Sequence, residues 1–266
     1  MGYLYYKGLG VEQNYEKAVE WYIKAAEQGF THAQYRLGFL YMKGHGVPQS
    51  VDKANDWFIK AAEQGHVDAQ KKLEQVVAED LANARTDEYG VTYSIDGKRL
   101  LRVEKTFDSE HYIIHDEVRV ICNEAFQRCE KIKNVTIHSD VKFIGEKAFT
   151  SCNKLVNITI PRSVIHIGDE AFSFCPNVRK IIVDAQNPNY DSRDNCNAII
   201  ETRSNTLMVG CLNTTIPNGV VDIGKHAFSF DAKILNITIP PSMTHIPDSA
   251  FYFCNSLTSV IIQNGV

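Results

Sequence analysis

The stretch Ile158–Cys175, ITIPRSVIHIGDEAFSFC, returns at Ile237–Cys254 as ITIPPSMTHIPDSAFYFC. Working outward from it, an Ala-Phe pair recurs as Ala125-Phe126, Ala148-Phe149, Ala171-Phe172, Ala227-Phe228 and Ala250-Phe251. Successive steps are 23, 23, 56 and 23 residues, so one step holds 33 residues more than the others. Three residues after the Phe stand Cys129, Cys152, Cys175 and Cys254, with Asp231 as the exception. Alternating segments follow: Val135-Thr136-Ile137, Ile158-Thr159-Ile160, Ile181-Ile182-Val183, Ile237-Thr238-Ile239 and Val260-Ile261-Ile262. A period of two is that of a half-buried strand, whose alternate side chains point to opposite faces. A short apolar pair precedes each anchor: Val118/Ile121, Val141/Ile144, Val164/Ile167, Val220/Ile223 and Met243/Ile246. One coil of this length cannot bury its inward face alone, so coils must stack and share a core. The phenylalanines are expected at its centre, coil upon coil.

A second period, of 36, occupies the first 80 residues. Gly8-Leu9-Gly10-Val11 returns as Gly44-His45-Gly46-Val47, Trp21 as Trp57, and Ala25–Gly29 unchanged as Ala61–Gly65. Each unit reads as two helices. Ala18, Trp21, Tyr22, Ala25 and Ala26 share one helical face, and Gly29 ends that helix where a positive φ is cheap only for glycine. The next helix, from about Thr31 to Tyr41, presents Ala33, Leu37, Leu40 and Tyr41 to its neighbour. Small alanines allow close packing around one large Trp per unit. Asp68–Ala84 carries the stripe Leu73, Val76, Val77 and Leu81. It reads as a single helix closing the array, as open-ended solenoids require.

These motifs carry two resemblances. The G-x-G-V turn with A-A-E-Q-G, over residues 1–75 or so, resembles the Sel-one-like repeats, relatives of the tetratricopeptide family. Some secreted relatives carry a disulfide in each repeat; these repeats contain no cysteine. The period of 23 over roughly residues 91–266 resembles the BspA-like leucine-rich repeats of bacterial proteins. His115 and His138 depart from the pattern, standing where Pro161, Pro217 and Pro240 sit. The extra residues near 187–211 hold turn signals around Ala198–Ile200 and Thr206–Val209 and read as an inserted β-hairpin, an insertion seen often in that family. A similar hairpin, Val91–Tyr93 through Asp96-Gly97 to Leu100-Leu101, should cap the first coil. The expected class is a multidomain α and β fold. Residues 1–85 form an all-α helical-repeat solenoid, and residues 86–266 a leucine-rich-repeat β solenoid.

Composition narrows the function. The 266 residues are 44% hydrophobic and 23% charged, ordinary globular values. The net charge is -4; residues 1–85 carry 10 basic and 11 acidic side chains. Neither region is basic, which argues against binding nucleic-acid phosphates. No apolar run is long enough to span a bilayer. The first residues, MGYLYYKGLG, lack the pattern of a signal peptide. Residue 1 falls inside a helix and Val266 partway through a coil, which fits a piece of a longer repeat protein. Localisation is therefore open: the cell surface if a signal peptide lies upstream, the cytoplasm otherwise.

Chemistry-bearing residues mostly have plain explanations. A row of cysteines at strand spacing does not converge on one point as zinc ligands must, so buried free thiols are the favoured reading. Cys122, Cys196 and Cys211 lie off the row, and a Cys196–Cys211 bridge across the inserted segment is the alternative to free thiols there. Asn134, Asn157, Asn213 and Asn236 begin Asn-x-Ser/Thr sequons, three of them at equivalent coil positions where Asn helps turn the chain into the strand. His166 and His245 share a coil position with Val120, Phe143 and Asp222, a variability expected of a surface face. The nine histidines show no paired ligand spacing. The Gly-x-Gly turns lack a strand before them, so no phosphate loop is read, and no G-x-S-x-G elbow occurs. No catalytic, metal or cofactor-binding residue is assigned.

Both resemblances imply a partner-holding role, because Sel-one-like arrays act as adaptors and BspA-like proteins bind host or bacterial surface proteins. The expectation is a non-catalytic protein–protein interaction or adhesion scaffold. Its alternatives are a regulatory module of a cell-envelope enzyme system and a passive structural spacer. Strand alternation puts Thr136, Thr159, Ile182, Thr238 and Ile261 in one outward row, the candidate docking face. Strand propensity alone also explains Thr and Ile there. The rival surface is a helical groove with Tyr5, Tyr35 and Tyr41 as aromatic contacts.

Overall fold

The computed structural model describes residues 1–229 and 233–263, so Asp231 and Val266 lie outside the described residues. It divides into two compact units, Met1–Ala84 with Ser94–Lys98, and Arg85–Tyr93 with Arg99–Val266.

The first unit is a helical array: α1 (Gly2–Lys7), α2 (Tyr15–Glu27), α3 (Thr31–Lys43), α4 (Val51–Glu63), α5 (Val67–Glu74) and α6 (Ala78–Ala82). Equivalent caps start the repeated helices. Asn14 Oδ1 accepts from Lys17 N (2.8 Å) at α2, and Ser50 Oγ accepts from Lys53 N (3.3 Å) at α4. Such caps each stabilise a helix by about 1 kcal/mol. Gly46, at φ +72°, shows why the turn needs glycine: a Cβ there would sit 2.4 Å from the Tyr15 carbonyl carbon. The core is Ala18, Val19, Tyr22, Ala26, Ala33, Leu37 and Leu40.

Two helical expectations are corrected. Trp21 is 42% exposed, whereas its neighbour Tyr22 is buried at 8%. Ala18, Tyr22 and Ala26 follow one another at four-residue steps, and Trp21 lies a third of a turn off that line. Lys24 covers its ring at 5.1 Å, and Lys60 covers Trp57 at 4.3 Å. In the second repeat Phe58 is the large core side chain, at 0% exposure. The closing segment is also two helices rather than one. Gln75 and Val77 are extended, and Asp80 Oδ2 captures the Val77 N–H (3.0 Å) to cap α6. Adjacent β-branched valines favour that break.

The second unit opens with an antiparallel cap, β1 (Arg85–Thr86), β2 (Val91–Tyr93) and β3 (Arg99–Val103). The coils follow in pairs of strands: β4 (His111–Ile113) with β5 (Val120–Ile121), β6 (Asn134–Thr136) with β7 (Phe143–Ile144), β8 (Asn157–Ile160) with β9 (His166–Ile167), then β10 (Lys180–Val183). Parallel pairing runs along the solenoid: β3, β5, β7 and β9 on one face, β4 with β6 and β8 with β10 on another. After the insertion come β14 (Asp222–Ile223), β15 (Asn236–Ile239) and β16 (Ser259–Ile262), with β11 (Tyr190–Asp191), β12 (Ile199–Glu201) and β13 (Thr206–Val209) inside it. The insertion is thus more than the hairpin expected. β11, β12 and β13 form an antiparallel meander, and β13 then pairs parallel with β14.

The Ala-Phe segment makes a third ladder. Phe126 N donates to Ala148 O and Phe149 N to Ala171 O, each at 2.7 Å, and Phe228 N to Ala250 O at 3.0 Å. Aiming these N–H groups along the axis places non-glycine residues at positive φ on either side of the anchor. Lys147 (54°) and Ser151 (62°) flank Phe149; Glu170 (56°) and Phe174 (60°) flank Phe172. Phe126, Phe149 and Phe172 stack at 4.8 and 5.0 Å with rings within 12° of parallel. Phe228 stacks on Phe251 at 5.1 Å. Phe149 and Phe172 are 1% and 5% exposed, as expected of core anchors.

Three of the four row cysteines bond backward. Cys152, Cys175 and Cys254 Sγ donate to the carbonyls of Phe126, Phe149 and Phe228 at 3.0–3.2 Å. None of the seven cysteines is in a disulfide, so the Cys196–Cys211 bridge does not form. Asn197 Nδ2 donates to Cys211 Sγ instead, at 3.0 Å. Burial pushes the Cys129 thiol up to about 12. The Cys152 thiol is raised by its hydrogen-bonded neighbour Cys175 and then by burial. Cys175 and Cys254 are only half-buried, a departure from the expectation of four buried thiols. Three apolar positions depart likewise: Ile246 is 40% exposed, and Val260 and Ile262 on β16 are exposed as well as the outward Ile261.

Phe149→Ala and Phe172→Ala should each lower unfolding stability by about 3–5 kcal/mol in a denaturant titration. An unchanged transition would contradict the stacked core. With a maleimide reagent and no denaturant, Cys129 and Cys152 should label far more slowly than Cys175 and Cys254, because the thiolate is the reactive form. Equal rates across the four would contradict the burial gradient.

Candidate interaction surfaces

The outward row lies where strand alternation puts it. Thr136, Thr159, Ile182, Thr238 and Ile261 are all exposed, while Ile158, Ile160, Ile181, Val183, Ile237 and Ile239 point into the core. Register aligns Ile182 with Thr159, and Thr238 with Ile261. The structure adds one member that the sequence reading missed. Ile113 on β4 pairs with Thr136 and is 69% exposed. It lies one 23-residue step before Thr136, and that step was the available signal. Beside this row runs a polar one. Asn157 Nδ2 donates to Asn134 Oδ1 at 2.7 Å, and Asn134 Nδ2 meets His111 Nδ1 at 3.1 Å. These asparagines sit in strands and bond across coils, rather than turning the chain into them.

The row of Val120, Phe143 and His166 is not the surface expected. Val120 and Phe143 are buried at 0% and 1%, and His166 is half-buried. Desolvation holds the His166 imidazole below its ordinary range, with Asp169 and Glu201 opposing. His245, in the same coil position, is exposed.

At the capped end a chain of hydroxyls is buried. Tyr93 and Tyr112 share a hydrogen bond, and Tyr112 donates to Asp87, whose other oxygen accepts from Tyr89 N (3.0 Å) and Val91 N (2.8 Å). Burial pushes Tyr93 up to about 12 and raises Tyr112 too. Both phenols stay neutral at ordinary pH, so this cluster works as structural glue.

The three tyrosines do not form one surface. Tyr5 and Tyr41 are repeat equivalents, half-buried beneath Lys17 and Lys53 at 5.5 and 5.4 Å. Tyr35 stacks on His66 at 4.3 Å and lines a cleft of about 260 Å³ with Tyr6, Tyr22, Arg36, Phe39 and Lys43. Tyr6 and Tyr22 therefore take the groove positions expected of Tyr5 and Tyr41. Among the described residues no group of three or more metal-ligating side chains converges, and no helix is long and apolar enough to cross a membrane.

Comparison with known proteins agrees with this geometry. The "BspA type Leucine rich repeat region" profile matches residues 104–202 and 208–266 in six copies, and the "Sel1 repeat" profile matches 1–30 and 31–66. No curated protein is significantly similar to the chain. A Sel1 repeat protein from Oxalobacter formigenes is 56% identical over 27% of this chain and 29% of its own (TM-score 0.27). The pneumococcal vaccine antigen PcpA shares the fold at 18% identity, over 59% of this chain and 40% of that one (TM-score 0.53). A leucine-rich repeat protein from Bacteroides ovatus is 24% identical over 73% and 54% (TM-score 0.44). The chain thus spans less than half the length of the first two. With matches over more than half its residues, it belongs to the BspA type leucine-rich repeat family, and it carries two Sel1 repeats ahead of the coils.

Proposed function

We propose that the chain is a non-catalytic scaffold for protein–protein interaction or adhesion, which holds a protein partner against the outward sheet face. The observation that carries this reading is the exposed row Ile113, Thr136, Thr159 and Ile182, with Thr238 and Ile261 exposed in the same way on the strand pair after the insertion. Ile113 and Ile182 are 69% and 41% exposed, apolar area that a strand tolerates and a docked partner would bury. A spacer would show no such stripe. The flat, regularly spaced backbone beneath it presents the row at low entropic cost, since the strands are already ordered. Membership in two repeat families used as scaffolds supports the same reading.

The test starts from a partner cross-linked to the full chain and identified by mass spectrometry. Thr159→Glu with Ile182→Glu should leave the thermal transition in place, because both side chains face solvent. The same pair should weaken binding about tenfold or more, the loss of a central contact. Unchanged binding by that variant, with loss on Tyr35→Ala, would move the contact to the helical unit.

A further inference from the structure

We propose that the cleft along α3, closed on one side by α1, binds an acidic peptide segment. An apolar or aromatic side chain would seat between Tyr6, Tyr35 and Phe39, and flanking carboxylates would meet Arg36 and Lys43. This site is separate from the sheet face and does not depend on it.

Charge is the first ground. Arg36 and Lys43 line the cleft with no carboxylate among its lining residues. Among the described residues neither cation has an ion-pair partner within 4.0 Å. Lys133 and Lys147, by contrast, are paired with Glu110 and Glu146 at 2.7 and 2.8 Å. Other lysines of the helical unit rest over aromatic rings: Lys17 over Tyr5, Lys24 over Trp21, Lys60 over Trp57. Residues 1–85 are slightly acidic as a whole, so this local positive lining is a departure from its surroundings.

Aromatic walls are the second. Tyr6, Tyr35 and Phe39 line the cleft, and Tyr35 meets Phe39 edge to face at 5.0 Å. Such rings offer large apolar area to a side chain seated between them.

Size selects the occupant. Small-molecule sites span roughly 300–1,000 Å³, and this cleft holds about 260 Å³. That volume suits one side chain of a longer ligand and leaves the carboxylates of adjacent residues to the exposed cations at the rim.

The experiment pans a random octapeptide display library on the full chain and measures selected peptides by fluorescence anisotropy. Selected peptides should pair Asp or Glu with Phe, Trp or Leu, and bind more weakly as salt is raised. Arg36→Glu with Lys43→Glu should weaken binding about tenfold or more. Thr159→Glu with Ile182→Glu should change nothing, which separates this site from the sheet face. Selection of peptides without carboxylates, binding indifferent to Arg36→Glu with Lys43→Glu, or no selection at all would overturn the proposal. Self-association of the chain that disappears in that charge-reversed variant would also overturn it, by naming a second copy as the occupant.

Discussion

Axial spacing is the constraint on which the solenoid depends. Neighbouring strands sit about 4.8 Å apart, and stacked rings at 4.8–5.1 Å fit the same step. Sheet pairing and ring stacking can therefore be satisfied together only if every coil advances by one strand width. The chain meets this by accepting two left-handed non-glycine residues around most anchors. Each such residue costs of order 1–3 kcal/mol. The inter-coil N–H···O bonds of the Ala-Phe segment offset that cost. The cysteine thiol bonded back to the preceding Phe carbonyl satisfies the second lone pair of an oxygen that already accepts from its own coil.

The inserted meander obeys the same rule. Along β12 and β13 side chains enter different cores: Ile199, Met208 and Val209 pack with the coils before the insertion, Ile200 and Leu207 with those after it, and a register shift between Ile199 and Ile200 breaks strict alternation at Met208. A sheet one layer thick thus serves both sides. Gly210 shows how close the fit is, because a Cβ there would lie 2.1 Å from the Phe228 ring. The 33 extra residues preserve the axial step because β13 offers β14 a parallel edge, just as an ordinary coil would.

Much of this was legible because two periods, 36 and 23, repeat nearly unchanged residues, and strand alternation then assigns inward and outward faces. What escaped was phase and environment. A helical face drawn through both Trp21 and Tyr22 is too wide, and only packing decides which of the two enters the core. Variable residues at the His166 position suggested a surface, but Val120 and Phe143 are apolar and buried, so variability there reflects differing neighbours. Left-handed Lys147 and Phe174 carry no sequence signal, since nothing but the ladder forces that conformation. Ile113 was missed because its strand precedes the first Ala-Phe anchor.

The two candidate surfaces differ in how they would recognise a partner. The sheet row carries methyl groups at one-strand intervals within its paired strands, so its contact energy would scale with apolar area and depend little on salt. The helical cleft is small, aromatic and lined by unpaired cations, so charge would dominate its specificity and its rate of encounter. A partner touching only the first would be chosen by shape, and one touching only the second by charge. With both proposed surfaces in use, two repeat classes in one chain would give it two independent selection rules, and joining two modest contacts through one chain would raise the affinity of both without enlarging either surface.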